Sequence, residues 1–173
     1  MGKVLLVHFS TSEKGKIVNE DRASLELEKL FISNGYHVKK IHLETKKKLA
    51  LKEQLKQEKN LELKDITPPL KGFDLVIIGT PIVGSLTSAP LVNVFIRNLP
   101  KQNNQSKPLF ALFSVGVMHG FELKKMQSLL SMKGIKPIEA KAFTSIFDFD
   151  AKKLIEVKQF YEKIVEQINT TKN

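Results

Sequence analysis

Cysteine is absent from this sequence. That one absence excludes a disulfide scaffold, a thiol nucleophile, cysteine zinc sites and cysteine-held iron–sulfur clusters. Arginine is scarce: Arg22 and Arg97 are the only two among 28 basic residues. Long apolar runs are missing as well. Nowhere do about 18 apolar residues follow one another, so no membrane-spanning helix is expected. The opening stretch MGKVLLVHFSTSEKGK has a short apolar run and no small-residue cleavage signal. It does not read as a secretory leader, and the default expectation is a cytoplasmic protein.

What is present is a globular balance. The 173 residues are 42% apolar and 27% charged, which suits a single domain over 1–173 with a core large enough to need no metal or disulfide. The formal net charge is +10. Such a surplus suggests a nucleic-acid binder, but 26 of the basic residues are lysines. Lysine lacks the planar fork that reads guanine and grips phosphate with two parallel bonds. The densest basic stretch, Lys46 to Lys64, also carries Glu53, Glu58 and Glu62. A solvated lysine-rich face is the favoured reading, with an acidic partner or anionic ligand second and nucleic acid disfavoured.

Strand and helix patterns alternate along the chain. Residues 3–9, 73–79 and 108–115 are continuous apolar runs, as expected of strands covered on both faces. Residues 37–43 and 135–143 read as weaker strands, the first polar enough for a sheet edge. Helices are expected over 14–34, 89–98, 120–133 and 151–169. Their stripes are Ala23, Leu27, Leu30 and Phe31; Leu91, Val92, Phe95, Ile96 and Leu99; Leu123, Met126, Leu129 and Leu130; and Leu154, Val157, Tyr161, Ile164 and Ile168. A loosely attached helix is expected within 45–64. Gly35 and Gly134 supply stops, and Asp150 an N-cap. The pattern predicts an α/β domain with a doubly wound five-stranded parallel sheet. Ligands of such sheets sit beyond the carboxyl ends of the strands, which directs attention to loops 9–16, 80–88, 115–120 and 144–150.

The first of these loops joins a buried strand to a helix start. Ser10, Thr11 and Ser12 offer three consecutive hydroxyls, Gly15 allows close approach, and Lys14 and Lys16 add charge. Free N–H groups and the helix dipole favour an anion there. Neither G-x-G-x-x-G nor G-x-x-x-x-G-K-[ST] is present, which argues against a dinucleotide fold site and a P-loop. The second loop, Thr80-Pro81-Ile82-Val83-Gly84-Ser85, is apolar and small; Ile82 and Val83 could floor a flat ring or plug the core. The third runs from Ser114 through Gly116 to His119. A hydrolase elbow fails for want of a second glycine after Ser85. His8, His37 and His42 show no metal-ligand spacing, so no metal site is expected.

The strand, hydroxyl-rich loop and helix at the start, together with DLVIIGTPIVGSLTSAPLVNVFI (Asp74 to Ile96), resemble the flavodoxin-like family over most of the chain. That resemblance implies strand order 2-1-3-4-5 and FMN at the switch point. Ser10 and Ser12 match the family's first two phosphate-loop hydroxyls. The chain departs from the pattern at Glu13, where Gly is usual, and at Gly15, where Thr is usual. It also has no tryptophan for ring stacking, and its tyrosines, Tyr36 and Tyr161, fall in scaffold elements. The implied cofactor set is Ser10, Thr11, Ser12, Lys14 and Gly15 for the phosphate, with Thr80, Pro81, Ile82, Val83, Gly84, Ser85, Ser114, Gly116 and His119 around the ring. Phe121 and Phe147 are further stacking candidates. No catalytic side chain is required, because the flavin carries the redox chemistry. Electrons would pass to a redox partner protein or a small-molecule donor or acceptor. An NAD(P)H- or quinone-dependent oxidoreductase is one alternative, and a flavin-free binding module with a basic surface for an acidic partner is another.

Overall fold

The computed structural model describes residues 2–11, 18–64, 69–83, 87–102, 108–118, 121–144 and 149–172. Its elements are β1 (Lys3–His8), α1 (Asn19–Ser33), β2 (His37–His42), α2 (Leu51–Lys56), β3 (Leu75–Val83), β4 (Thr87–Ser88), α3 (Pro90–Asn98), β5 (Leu109–Gly116), α4 (Glu122–Ser131), β6 (Glu139–Thr144) and α5 (Ala151–Lys172).

The main sheet has the order β2-β1-β3-β5-β6, and every pair in it is parallel. The two-residue β4 folds back antiparallel on the end of β3, with Val83 opposite Thr87. Without that short return the order is the expected 2-1-3-4-5. It reverses direction between β1 and β3, which places the switch point over their carboxyl ends.

Alternation along the central strands sorts side chains to two helical layers. Val4 and Leu6 of β1, Leu75 and Ile77 of β3, and Ala111, Phe113 and Val115 of β5 pack with α1 and α5. Leu5, Val7, Val76, Ile78, Phe110 and Leu112 pack with α3 and α4. Both faces are dry, so the strands read as unbroken apolar runs rather than an alternating pattern. The close fit shows at Gly79, where a Cβ would lie 2.1 Å from the Phe113 ring.

The helix ends follow local chemistry. Gly35 takes a φ of 82°, and Tyr36 N–H bonds the Phe31 carbonyl at 3.0 Å, closing α1. Pro90 opens α3. The Asp150 carboxylate accepts the Lys153 N–H at 3.0 Å, as expected of an N-cap. The polar strand β2 lies at one edge of the sheet.

Two expectations are corrected. The helix in 45–64 is only the six residues of α2, followed by a three-residue 3-10 turn at Glu58–Asn60. The segment is not loosely attached. Its ends pair across Thr45 and Leu63, and Glu58 reaches the neighbouring helices, bonding Arg97, Lys125 and Asn93. In α5, Leu154 is exposed, while Phe160, outside the expected stripe, is buried. Among the described residues no helix is long and apolar enough to cross a membrane.

Candidate functional site

The carboxyl ends of β1, β3 and β5 meet along one rim of the sheet. At the β1 end, Ser10 is buried and its Oγ donates to Asp21 Oδ2 at 3.0 Å. Thr11 uses both of its donors on one acceptor: its N–H and its Oγ1 reach Glu20 Oε1 at 3.0 and 2.6 Å. Glu20 and Asp21 form the first turn of α1, where carboxylates complement the helix dipole. Here they also take the donors of the preceding loop. Ser12, Lys14 and Gly15, with Glu13 and Lys16, lie outside the described residues.

Below this loop, His8 is 4% exposed. The parallel register sets it beside His42, with ring centroids 5.1 Å apart. Its Nε2 lies 3.4 Å from Asp21 Oδ1, and its Nδ1 has no hydrogen-bond partner among the described residues. Burial pushes its pKa down to about 4, helped by the charges of His42 and Lys40 and opposed by Asp21. The ring is neutral near pH 7.

At the β3 end, Thr80 is fully buried. Its Oγ1 accepts the Ala89 N–H at 2.9 Å and donates to the Pro81 carbonyl at 2.9 Å, so it ties the strand to the start of α3. Pro81 is buried and Val83 joins the core on the α3 side. Ile82 packs over Gly116, where a Cβ would lie 2.8 Å from it, so glycine lets β3 and β5 converge. Gly84 and Ser85 lie outside the described residues.

At the β5 end, Ser114 is fully buried and donates to Glu122 Oε1 at 3.0 Å. The hydroxyls of Thr80 and Ser114 are therefore committed to protein partners. The chain then emerges as Val117 and Met118, 57% and 58% exposed, followed at the start of α4 by Phe121, 67% exposed. His119 lies outside the described residues, as does Phe147. Val117, Met118 and Phe121 are thus three large apolar side chains left exposed near the carboxyl end of β5.

No family model matches the chain, and no curated protein matches it by sequence. Solved structures do. A flavodoxin from Streptococcus pneumoniae TIGR4 superposes with a TM-score of 0.62 at 12% identity, covering 96% of this chain and 99% of that one. A flavodoxin from the domain Archaea gives 0.61 at 14% identity, over 96% and 99%. The rubredoxin:oxygen oxidoreductase of Desulfovibrio gigas gives 0.61 at 14% identity, over 98% of this chain but 36% of that larger one. The fold is flavodoxin-like. At these identities the likeness concerns backbone architecture, and site chemistry has to come from the residues themselves.

Within this flavodoxin-like frame, sequence reasoning missed two features. One is the pairing of Glu20 and Asp21 with the hydroxyl loop. Acidic residues at a helix start read as dipole partners, and their second use appears only once the loop folds back. The other is an open groove of about 920 Å³ beyond the ends of β1 and β2, rimmed by Lys46, Lys48 and Lys64. The lysine-rich stretch was the visible signal, but its run of charge resembles any solvated face.

Proposed function

We propose that the protein binds a flavin, FMN, non-covalently at the rim of β1, β3 and β5, and serves as a redox protein through it. The observation that carries this reading is the exposed trio Val117, Met118 and Phe121 beside the Ile82–Gly116 contact. A flat apolar ring laid there would remove that surface from water, at about 25 cal/mol for each Å² covered. The flavodoxin-like fold supports the same rim, because ligands of such sheets sit beyond the carboxyl ends. A bound flavin would supply the hydride and electron chemistry. This chain's residues would seat the ring and exclude water. The undescribed residues Gly84, Ser85 and His119 border the same space in sequence and belong to the proposed ring site. Ser12, Lys14 and Gly15 belong to the proposed tail site.

The two ends of the ligand are met unequally. The ring end fits the described residues. The phosphate end does not: Ser10 and Thr11 donate to carboxylates, and a phosphate would have to displace two negative groups. Binding on this reading is carried by the ring, and riboflavin should bind nearly as well as FMN. Titration of both into flavin-free protein, followed by flavin fluorescence, tests this. Saturable change for both supports the reading, and Met118→Asp should weaken both alike. No change with either ligand would end it. Where flavin binding is found, turnover of NADH or NADPH with a quinone marks an enzyme, and its absence a carrier for a partner protein.

A further inference from the structure

Among the described residues the main sheet ends on two strands without an outer neighbour, β2 on one side and β6 on the other. Every second N–H and C=O of an edge strand points away from its partner and can take another strand. The two edges differ in charge. β2 reads His-Val-Lys-Lys-Ile-His. Two copies of it, paired antiparallel about Lys39 or Lys40, would set lysine against lysine, so that edge is guarded. β6 reads Glu-Ala-Lys-Ala-Phe-Thr. It carries one charge of each sign, on alternate residues, and no proline.

Alternation along β6 sends Glu139, Lys141 and Phe143 to one face of the sheet. Phe143 marks which face: its ring lies 5.8 Å from that of Phe160 in α5. Ala140 packs with the opposite layer. Glu139 and Lys141 are both half-buried on the α5 side of the edge, and neither holds an ion pair with a described residue. On β2, Lys40 is already held by Glu28 at 3.1 Å. A two-fold axis through Ala140, perpendicular to the sheet, would set Glu139 of each copy opposite Lys141 of the other, on the same face. An axis through Lys141 would oppose two lysines, and one through Glu139 two carboxylates. Charge therefore selects a single register.

We infer that β6 is the docking edge for a second copy of this chain, paired antiparallel about Ala140 so that the two sheets become one. The contact is self-complementary, as a two-fold interface must be, and forms two Glu139–Lys141 pairs. The small side chains of Ala140 and Ala142 leave room for the incoming strand. The edge is only six residues long and each copy carries a net charge of +10, so the dimer is weak. It forms best where salt shortens the reach of the net repulsion to about 8 Å. The inference uses no residue assigned to the flavin and stands whether or not a flavin binds.

The test is sedimentation velocity of the full chain from about 10 μM to about 1 mM, in about 0.15 M salt. A shift from monomer to dimer across that range is expected, with amide exchange at residues 139–142 slowing as the dimer forms. Lys141→Glu and Glu139→Lys each turn both attractions into repulsions, and each should weaken the dimer by about tenfold or more. The two substitutions together restore opposite charges in the same register and should return the affinity to within about threefold of the parent. Mixing the two single variants in equal amounts does the same across the axis, and serves where the double variant has a lower urea midpoint. Lys39→Glu, on the other edge, should not weaken the dimer. The inference is overturned by a dimer that both single variants leave intact, or by single variants that neither combination nor mixing rescues. A chain that stays monomeric at about 1 mM leaves the edge to a foreign strand and overturns it as well.

Discussion

Replacing Glu20 with Gln should create a preference for FMN over riboflavin. Glu20 Oε1 accepts from both the Thr11 N–H and the Thr11 hydroxyl, at 3.0 and 2.6 Å. A phosphate oxygen using either donor would approach that carboxylate to about 4 Å, where unit charges repel by about 1 kcal/mol in water and about 4 kcal/mol at an effective dielectric of 20. Thr11 is exposed, so solvent screening brings the expected penalty to about 1–2 kcal/mol. Glutamine keeps the accepting oxygen and removes the charge, so the loop should hold its shape. FMN affinity should then rise about tenfold, and riboflavin affinity should stay put. The assay is the paired flavin titration, run at low salt and again near ~0.5 M salt, where the difference should shrink. Equal gains for FMN and riboflavin, or none for either, would refute the view that Glu20 keeps a phosphate from the loop.

Three further outcomes follow from packing and charge. Buried neutral His8, with its pKa depressed to about 4, favours the folded state above the ordinary histidine range; that contribution is present above pH 6.5 and is lost as pH falls toward 4, by an amount of about 3 kcal/mol. Urea unfolding across pH 7 to 4.5 should show a smaller fall for His8→Gln than for the parent, and identical slopes would contradict the assignment. Glu58 is half-shielded and bonds Arg97, Lys125 and Asn93; these contacts outweigh the burial that opposes ionisation, so its carboxyl sits below the usual range. Glu58→Ala should cost about 1–2 kcal/mol after allowing for partly exposed partners, and should raise amide exchange across 51–63 before the sheet. Gly79→Ala places a methyl group into the Phe113 ring and should cost about 2–3 kcal/mol, read as a lower urea midpoint. An unchanged midpoint would mean that the sheet and α5 separate easily.

The layered architecture was legible because central parallel strands must be apolar on both faces. The runs at 4–7, 75–78 and 110–113 announce themselves, and the polar β2 announces an edge. Three of the five expected helices lie near their expected limits for the same reason: their buried residues recur at three and four; α1, expected from residue 14, begins at Asn19 after the N-cap Val18. The region 45–64 was harder, because its order comes from distant partners. Nothing local in Glu58 says that Arg97 and Lys125 will meet it. The swap of Leu154 for Phe160 follows from where α5 meets the core: its first fully buried residue is Val157. At the rim, sequence pointed to the loops after the strands and to hydroxyls as donors, but not to which acceptors they serve. Thr80 and Ser114 turned inward to Ala89 and Glu122. In the loop after β5, sequence singled out Gly116 and His119 but not Val117 and Met118, whose exposure only the fold reveals.

The central claim is that the ring of a flavin lies on Val117, Met118 and Phe121. Amide chemical shifts of nitrogen-15-labelled protein, recorded as riboflavin is added, test it most directly. The account predicts saturable shifts at Ile82, Val83, Gly116, Val117, Met118 and Phe121, with the groove amides of Lys48 and Gln54 unmoved. Shifts confined to that groove, or a spectrum that ignores the ligand, would contradict it.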